Sequence, residues 1–385
     1  MPWQHLLHEA GHSAEPPMSL QRISAVELLA SFGQWDTLID ARSESEYALD
    51  HLPGAINWPT LDDLQRAQVG AAHKQDSAFE ARKQGAALAA ANIAHHLQQH
   101  LKDKSRQWRP VLYCWRGGQR SGSLSWVLSE IGFAVRVLEG GYRAFRRAVV
   151  DALEVLPGSL RFQVLCGRTG SAKSRLLQAL ALQGAQVLDL EQLACHRGSV
   201  LGAEPGQPQP GQKAFETQLW HALSRMDPAR VIYTESESRT IGRMRLPEAL
   251  LSRLRASPCI HVELDLQQRV AFLLRDYAHL VADTEHFCGR LEALRELRGA
   301  AKVAHWQALA RQAQPDNSAP LEQVVQELLT EHYDPVYLRS MQRNYSRFDD
   351  ARPLRLPDGE PGTLEQQARA LIQAHATSDH PDHEH

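Results

Sequence analysis

Cysteine is scarce: the 385 residues hold five, at positions 114, 166, 195, 259 and 288. An odd number at irregular spacing excludes a disulfide scaffold and suits a reducing compartment, where a thiol stays available. Net charge is small as well. A formal charge of -3 argues against a wholly basic nucleic-acid coat and leaves local patches open. No apolar run approaches the roughly 18 residues that a membrane span needs. The first residues, MPWQHLLHEAGHSAEPP, lack a basic stretch leading into an apolar core, so they do not read as a secretion signal. These lacks point to a cytoplasmic protein with no membrane partner. The closing TSDHPDHEH is rich in His and Asp but suits a frayed end better than a metal site.

What is present is enough apolar material, 43%, for real cores, in a chain whose length suits two domains and a small third part. From 18 to 150 the pattern alternates strand and helix: ISAVELLASF as helix, DTLIDA and AINWP as extended pieces, then a long alanine-rich helical stretch. VLYC reads as a strand, SLSWVLSEIGF as a helix, and AVRVLEGGYRAF as strand, turn and helix start. The order predicts a small α/β domain on a parallel sheet. Pro157-Gly158 reads as the join to a second α/β domain over 158–315, with FQVLC, QVLDL, VIYTES and CIHVELDL as its strands. GAEPGQPQPGQ (203–212) reads as a surface loop. A helical C-terminal segment follows over 316–350, and 351–385 reads as a flexible tail.

VLYCWRGGQRSGS, residues 111–123, is the first stretch that carries chemistry. A strand leads in, Gly117 and Gly118 let the backbone curl, and a helix starts near Ser121. Successive N–H groups from Trp115 through Gln119 to Ser121 would form a nest at the positive end of that helix. Such a nest lowers the pKa of Cys114 and makes a thiolate nucleophile, with Arg116 and Arg120 as positive neighbours. A buried structural cysteine is the bland alternative, and the polar CWRGGQRS is a poor core sequence. C-x-x-G-x-x-R-S is also the phosphate loop of cysteine phosphatases. Upstream, LIDARSESEYALDHLPGAINWP (38–59) resembles the rhodanese signature, whose domains carry sulfur or selenium on the loop cysteine. The usual sulfurtransferase loop is one residue shorter between Cys and Arg, which keeps the phosphatase alternative open. Tyr113, where many cysteine phosphatases have His, counts against it.

FQVLCGRTGSAKSRLL (162–177) has the layout strand, Gly-rich loop, Lys-Ser, helix. Gly167, Arg168, Thr169, Gly170, Ser171, Ala172, Lys173 and Ser174 match the P-loop spacing, except that Ala172 stands where glycine is expected. Their N–H groups would wrap a diphosphate, with Lys173 reaching the same charge and Ser174 holding Mg²⁺ if the ligand is a magnesium complex. The motif alone favours ATP. Asp189, Glu235 and Glu237 fall at strand ends, where an Mg²⁺ ligand or an acid–base group would be supplied. Solvated helix caps are the alternative for each. The cysteines and His196 show no zinc spacing.

Together the two halves resemble the bacterial tRNA 2-selenouridine synthases, a rhodanese-like domain fused to a P-loop NTPase-like α/β domain. The resemblance spans roughly 20 to 340 and rests on YCWRGGQRS, FEARKQGAALAAANIA, GRTGSAKS, LACHRGSVLG, TESESRTIG, RDYAHL and HYDPVYLRS in this order. It implies a wobble-uridine reaction on tRNA carrying 2-thiouridine. The thiouridine sulfur is first prenylated from geranyl diphosphate, and selenium from selenophosphate then displaces the S-geranyl group. It further implies selenium on Cys114 as a selanylsulfide, the diphosphate of geranyl diphosphate on 167–174, and an enzyme elsewhere that makes selenophosphate. No tightly bound cofactor is expected, and Mg²⁺ is left open.

A tRNA partner needs local positive charge. RVLEGGYRAFRR (136–147), RTIGRMRLPEALLSRLR (239–255) and RSMQRNYSRF (339–348) are the candidates. In the last, Arg339, Arg343 and Arg347 interleave with Tyr345 and Phe348, offering phosphate contacts beside stacking rings. A solvated amphipathic surface is the plain alternative, and a non-catalytic RNA-binding adaptor is the competing class for the whole chain.

Overall fold

The computed structural model describes residues 20–75, 77–197, 207–276, 283–314 and 317–378. The last part of LACHRGSVLG, most of RDYAHL and the start of the 203–212 loop lie outside them. The chain divides into two compact units, Met1–Asp151 and Ala152–His385.

In the first unit, Ser24 and Glu27 form a capping box that starts the helix Ala25–Ala30. The unit has five strands, in chain order β1 Gln21–Ile23, β2 Thr37–Asp40, β3 Ile56–Asn57, β4 Pro110–Tyr113 and β5 Arg136–Leu138. Every pairing is parallel, in the order β1-β5-β4-β2-β3. The apolar runs that read as strands bury as strands: β4 is buried throughout. On it pack Ile39, Trp58, Ile93, Leu124 and Leu128. The alanine-rich stretch forms two helices, Asp63–Gln75 and Ala78–His100. A buried ion pair, Arg42 to Asp40 at 2.6 Å, closes the end of β2, and the same guanidinium donates to the Asp50 carbonyl at 2.7 Å.

The second unit repeats the plan. β6 Arg161–Cys166, β7 Gln186–Leu188, β8 Val231–Glu235, β11 Cys259–Glu263 and β12 Arg352–Arg355 form a parallel sheet in the order β12-β11-β6-β8-β7. A separate hairpin joins β9 Thr240–Ile241 to β10 Met244–Arg245. The chain leaves β6 toward β8 and β7 and later returns on its other side as β11, so the end of β6 sits where the strand order reverses. A helical cluster around Trp306, Leu291, Val303 and Val324 forms a second core.

Two expectations are corrected here. Pro157 lies inside the helix Gly141–Ser159, so Pro157-Gly158 is not a break in secondary structure. Residues 352–378 are not a flexible tail. β12 pairs in register with β11, Ile260 facing Arg352 and Glu263 facing Arg355. The helix Pro361–Ser378 lays Leu364, Ala368 and Leu371 against Leu176, Leu177 and Leu180 of the helix Lys173–Leu182. The spacing of those three residues is the helical signal that the Pro-rich flank obscured. β12 tolerates Pro353 because it is an edge strand.

Candidate active site

Each unit places one loop at the end of its central strand. In the first, β4 ends at Tyr113 and the helix Gln119–Ile131 begins after Gly118, so Cys114 lies at that helix's positive end. Its sulfur accepts the Gly118 N–H at 3.3 Å and the Ser121 hydroxyl at 3.2 Å. Burial pushes the thiol up. The Ser121 hydroxyl and the N–H groups of Ser121, Arg116 and Gly118 outweigh it, so the pKa falls below the ordinary cysteine value. Gly117 makes the curl possible, with φ +66° and a side-chain position that would lie 2.7 Å from the Leu138 carbonyl. The loop is tied down from outside by the N–H groups of Tyr142 and Arg143, which donate to the Cys114 and Trp115 carbonyls at 2.8 and 3.2 Å. Trp115 stacks on Tyr142 with centroids 5.4 Å apart.

The arginines play a different part from the one expected. Arg120 donates to Glu46 at 2.6 Å, and the Arg116 side chain is exposed, as is Gln119. The donors on the sulfur are therefore N–H groups and a hydroxyl. Tyr113 is fully buried and its hydroxyl accepts the Leu52 N–H at 3.2 Å.

In the second unit β6 runs into Gly167, and Lys173 opens the next helix. The Lys173 ammonium donates to the Gly167 carbonyl at 2.6 Å and the Arg168 carbonyl at 3.3 Å. Ala172 adopts the left-handed conformation, φ 63° and ψ 20°, which is why glycine is expected there. Arg269, only 2% exposed, holds the loop by donating to the Thr169 carbonyl at 2.9 Å and gripping Asp334 with two bonds of 2.9 and 2.6 Å. The Gly167 N–H donates to the Tyr337 hydroxyl. A cavity of about 820 Å³ opens in front of the loop. Its lining includes the P-loop, Glu191, Glu235 and Glu237, and the side chains of Phe272, Leu273, Val336, Tyr337 and Met341.

Glu191, Glu235 and Glu237 bring carboxylate oxygens within 4.8 Å of one another. Burial raises all three, mutual repulsion adds to it for Glu191 and Glu237, and Lys173 opposes it. Glu191 rises to about 9 and Glu237 to about 8. Asp189, expected in this group, is instead the N-cap of the helix Leu190–Ala194 and accepts the Gln192 N–H at 2.8 Å. Capping turns its side chain back on its own backbone, and Glu191 takes the place beside the two strand-end glutamates.

The RNA-facing expectations divide. Arg339, Arg343 and Arg347 are exposed. Tyr345 is not a stacking ring: it is 4% exposed, and its hydroxyl accepts the Glu237 N–H at 2.8 Å and donates to the Glu237 carbonyl at 3.0 Å. In the other two basic segments some charge is already engaged, as with Arg146 at 3.8 Å from Asp50 and Arg253 on the Leu160 carbonyl. Tyr337, Arg269 and Phe272 were not singled out in the sequence. Tyr337 lay within HYDPVYLRS without being assigned a role, and Arg269 and Phe272 fell in a segment read only as helical.

Known families match both units. The tRNA 2-selenouridine synthase AAA domain matches residues 160–305, and the rhodanese-like domain matches residues 24–148. The tRNA 2-selenouridine synthase of Alcanivorax borkumensis is 33% identical over 342 residues, covering 82% of this chain and 92% of the relative. That of Marinobacter nauticus is 32% identical over 323 residues, with 78% and 87% covered. That of Shewanella denitrificans is 33% identical over 351 residues, with 83% and 92% covered. With two domains matched in order and most of each relative spanned, this chain belongs to the tRNA 2-selenouridine synthase family.

Proposed function

We propose that the chain converts 2-thiouridine at the wobble position of tRNA to 2-selenouridine through an S-geranyl intermediate, using geranyl diphosphate and then selenophosphate. The observation that carries the geranyl step is the composition of the P-loop cavity, which Lys173 lines together with Phe272, Leu273, Val336 and Met341. A diphosphate suits the P-loop residues and a prenyl chain the apolar side chains, where each buried CH₂ contributes about 0.8 kcal/mol. A volume of about 820 Å³ lies within the range of small-molecule sites. Alkylation comes first for a chemical reason. A thiocarbonyl sulfur is a weak leaving group, whereas an S-alkylated one departs as a thiolate, so prenylation activates C2 toward selenium. The loop at 114–121 suits the selenium donor, an anion that the nest of N–H groups would hold beside a cysteine of lowered pKa. A separate selenophosphate-producing enzyme supplies that donor.

Competition separates this reading from ATP binding. Labelled geranyl diphosphate should bind the full chain and be displaced by unlabelled geranyl diphosphate, not by a non-hydrolysable ATP analogue. Lys173→Ala should slow prenyl transfer by about 10²-fold, the loss of one well-placed charge contact. The same variant should still perform the selenium exchange on tRNA that is already geranylated. Tight binding of the ATP analogue with no competition from geranyl diphosphate would overturn the prenyl assignment.

A further inference from the structure

The helix Asp334–Asn344 is fastened beside the P-loop at three points. At its start, Asp334 takes two bonds from the buried Arg269 guanidinium, whose Nε donates to the Thr169 carbonyl of the loop. One turn on, the Tyr337 hydroxyl accepts the Gly167 N–H. Just past its end, the Tyr345 hydroxyl bonds both the N–H and the carbonyl of Glu237. Held on both sides, Tyr337 cannot swing away without separating Asp334 from a guanidinium that is only 3% exposed. Its ring lies over the Lys173 ammonium, 5.9 Å from nitrogen to centroid, and borders the cavity. Burial raises its phenol pKa, so the hydroxyl stays neutral.

That position bears on how many phosphates the loop can take. In a P-loop the backbone cradles the inner phosphates of a nucleotide, and the lysine reaches the outer end of the chain. A phosphate oxygen about 2.8 Å from the ammonium on the side of the ring would stand about 3 Å from the centroid, already in contact with it. One phosphate fills that gap, and a further one would overlap the ring. We propose that Tyr337 is the specificity-determining residue of this site: its ring ends the phosphate chain at Lys173, so the loop accepts a diphosphate ester and rejects a triphosphate. The device is exclusion. Lys173 and the loop N–H groups cannot make the distinction, because two phosphates and three present the same kind of anion to them. The inference rests on the diphosphate reading of this cavity, though not on the geranyl chain.

The test measures binding of two inorganic probes, diphosphate and tripolyphosphate, to the full chain by calorimetry at one free Mg²⁺ concentration. The native chain should prefer diphosphate by at least about tenfold. Tyr337→Ala should erase that preference, mainly through tighter binding of tripolyphosphate. Tyr337→Phe keeps the ring and drops the hydroxyl, so it should keep the preference. Tyr337→Leu carries the same expectation as alanine and retains more apolar contact, which covers the case of an alanine variant that does not fold. A native chain that binds tripolyphosphate as well as diphosphate, or better, would overturn the proposal. So would alanine and leucine variants that discriminate like the native chain. Loss of the preference in Tyr337→Phe would overturn it too, because the hydroxyl and not the ring would then be the cause. The prenyl reading fails separately: labelled geranyl diphosphate that does not bind, with the inorganic preference intact, would sink that reading and leave the role of the ring standing.

Discussion

The loop after β4 and the loop after β6 each leave the central strand of a five-stranded parallel sheet and run into the start of a helix. Around Cys114 the donors converge on a protein atom: an N–H and a hydroxyl reach the sulfur of this buried residue. Around Lys173 the loop borders an open cavity instead, and the ammonium rests on the loop's own carbonyls. One architecture thus stabilises a charge carried by the chain, and the other is poised for a charge carried by a ligand. The difference lies in the residue that follows the strand. A cysteine there gives the nest a protein sulfur to hold, whereas Gly167 brings no side chain to its loop.

The largest expected effect breaks the first loop. Cys114→Ser should lower selenium exchange by at least about 10³-fold, the scale of losing a nucleophile, and leave S-geranylation and tRNA binding close to native. Wild-type exchange in this variant would remove the cysteine from the chemistry. Ser121→Ala tests how the thiolate is made. The donors hold the folded-state pKa below the ordinary value, so thiolate persists to lower pH than in a free cysteine. Without the hydroxyl the acid limb of the exchange profile should move to higher pH. Activity at the acid end should drop about tenfold, the scale of one hydrogen bond to a charged group, and converge with native at alkaline pH. A profile that keeps its position would mean the backbone N–H groups suffice.

Both loops were legible because strand, glycine-rich turn and helix start are local, and each local choice agrees with the sheet that holds it. The strand-end positions of Glu235 and Glu237 were legible for the same reason. Glu191 and Tyr345 were not, since their roles depend on which way a helix faces. Residues Leu328–Tyr333 form a π-helical turn, which inserts a residue into the helical repeat. A helical reading of this segment therefore slips at that turn and could not show that Tyr337 reaches the P-loop and Tyr345 the Glu237 backbone. The last sheet strand, β12, was hidden by its two flanking arginines and a proline, which suit an edge and carry little strand signal.

A smaller effect concerns the tRNA substrate of the proposed reaction. Arg339, Arg343 and Arg347 recur every four residues and stay exposed, while the aromatic between them is turned inward. The segment can therefore supply phosphate contacts without a Tyr345 stack, and Phe348 is half-buried beside His261. Replacing Arg343 and Arg347 with Ala should weaken binding uniformly across tRNAs. The slope of log K against log salt should fall by up to about two, while turnover on saturating tRNA holds. An unchanged slope would take this segment out of the interface.

The smallest effect sharpens the comparison at the single position where the second loop departs from its own pattern. Ala172 sits at φ 63°, a conformation that costs a residue with a Cβ about 1–2 kcal/mol. Its methyl group is also buried, at 3% exposure, within the core that includes Leu176 and Leu180. Ala172→Gly should relieve the strain. It should also forfeit about 0.8 kcal/mol of methyl burial and admit about 0.4–1 kcal/mol of extra freedom in the unfolded chain. These terms nearly cancel, so the denaturant midpoint should correspond to a change within about 1 kcal/mol of native. Affinity for geranyl diphosphate should also barely move, because glycine keeps every N–H donor of the loop. A stability change beyond about 2 kcal/mol in either direction would show that one term dominates. A gain would mean the alanine is a strained substitute for glycine, and a loss would mean its methyl group is a structural part of the loop.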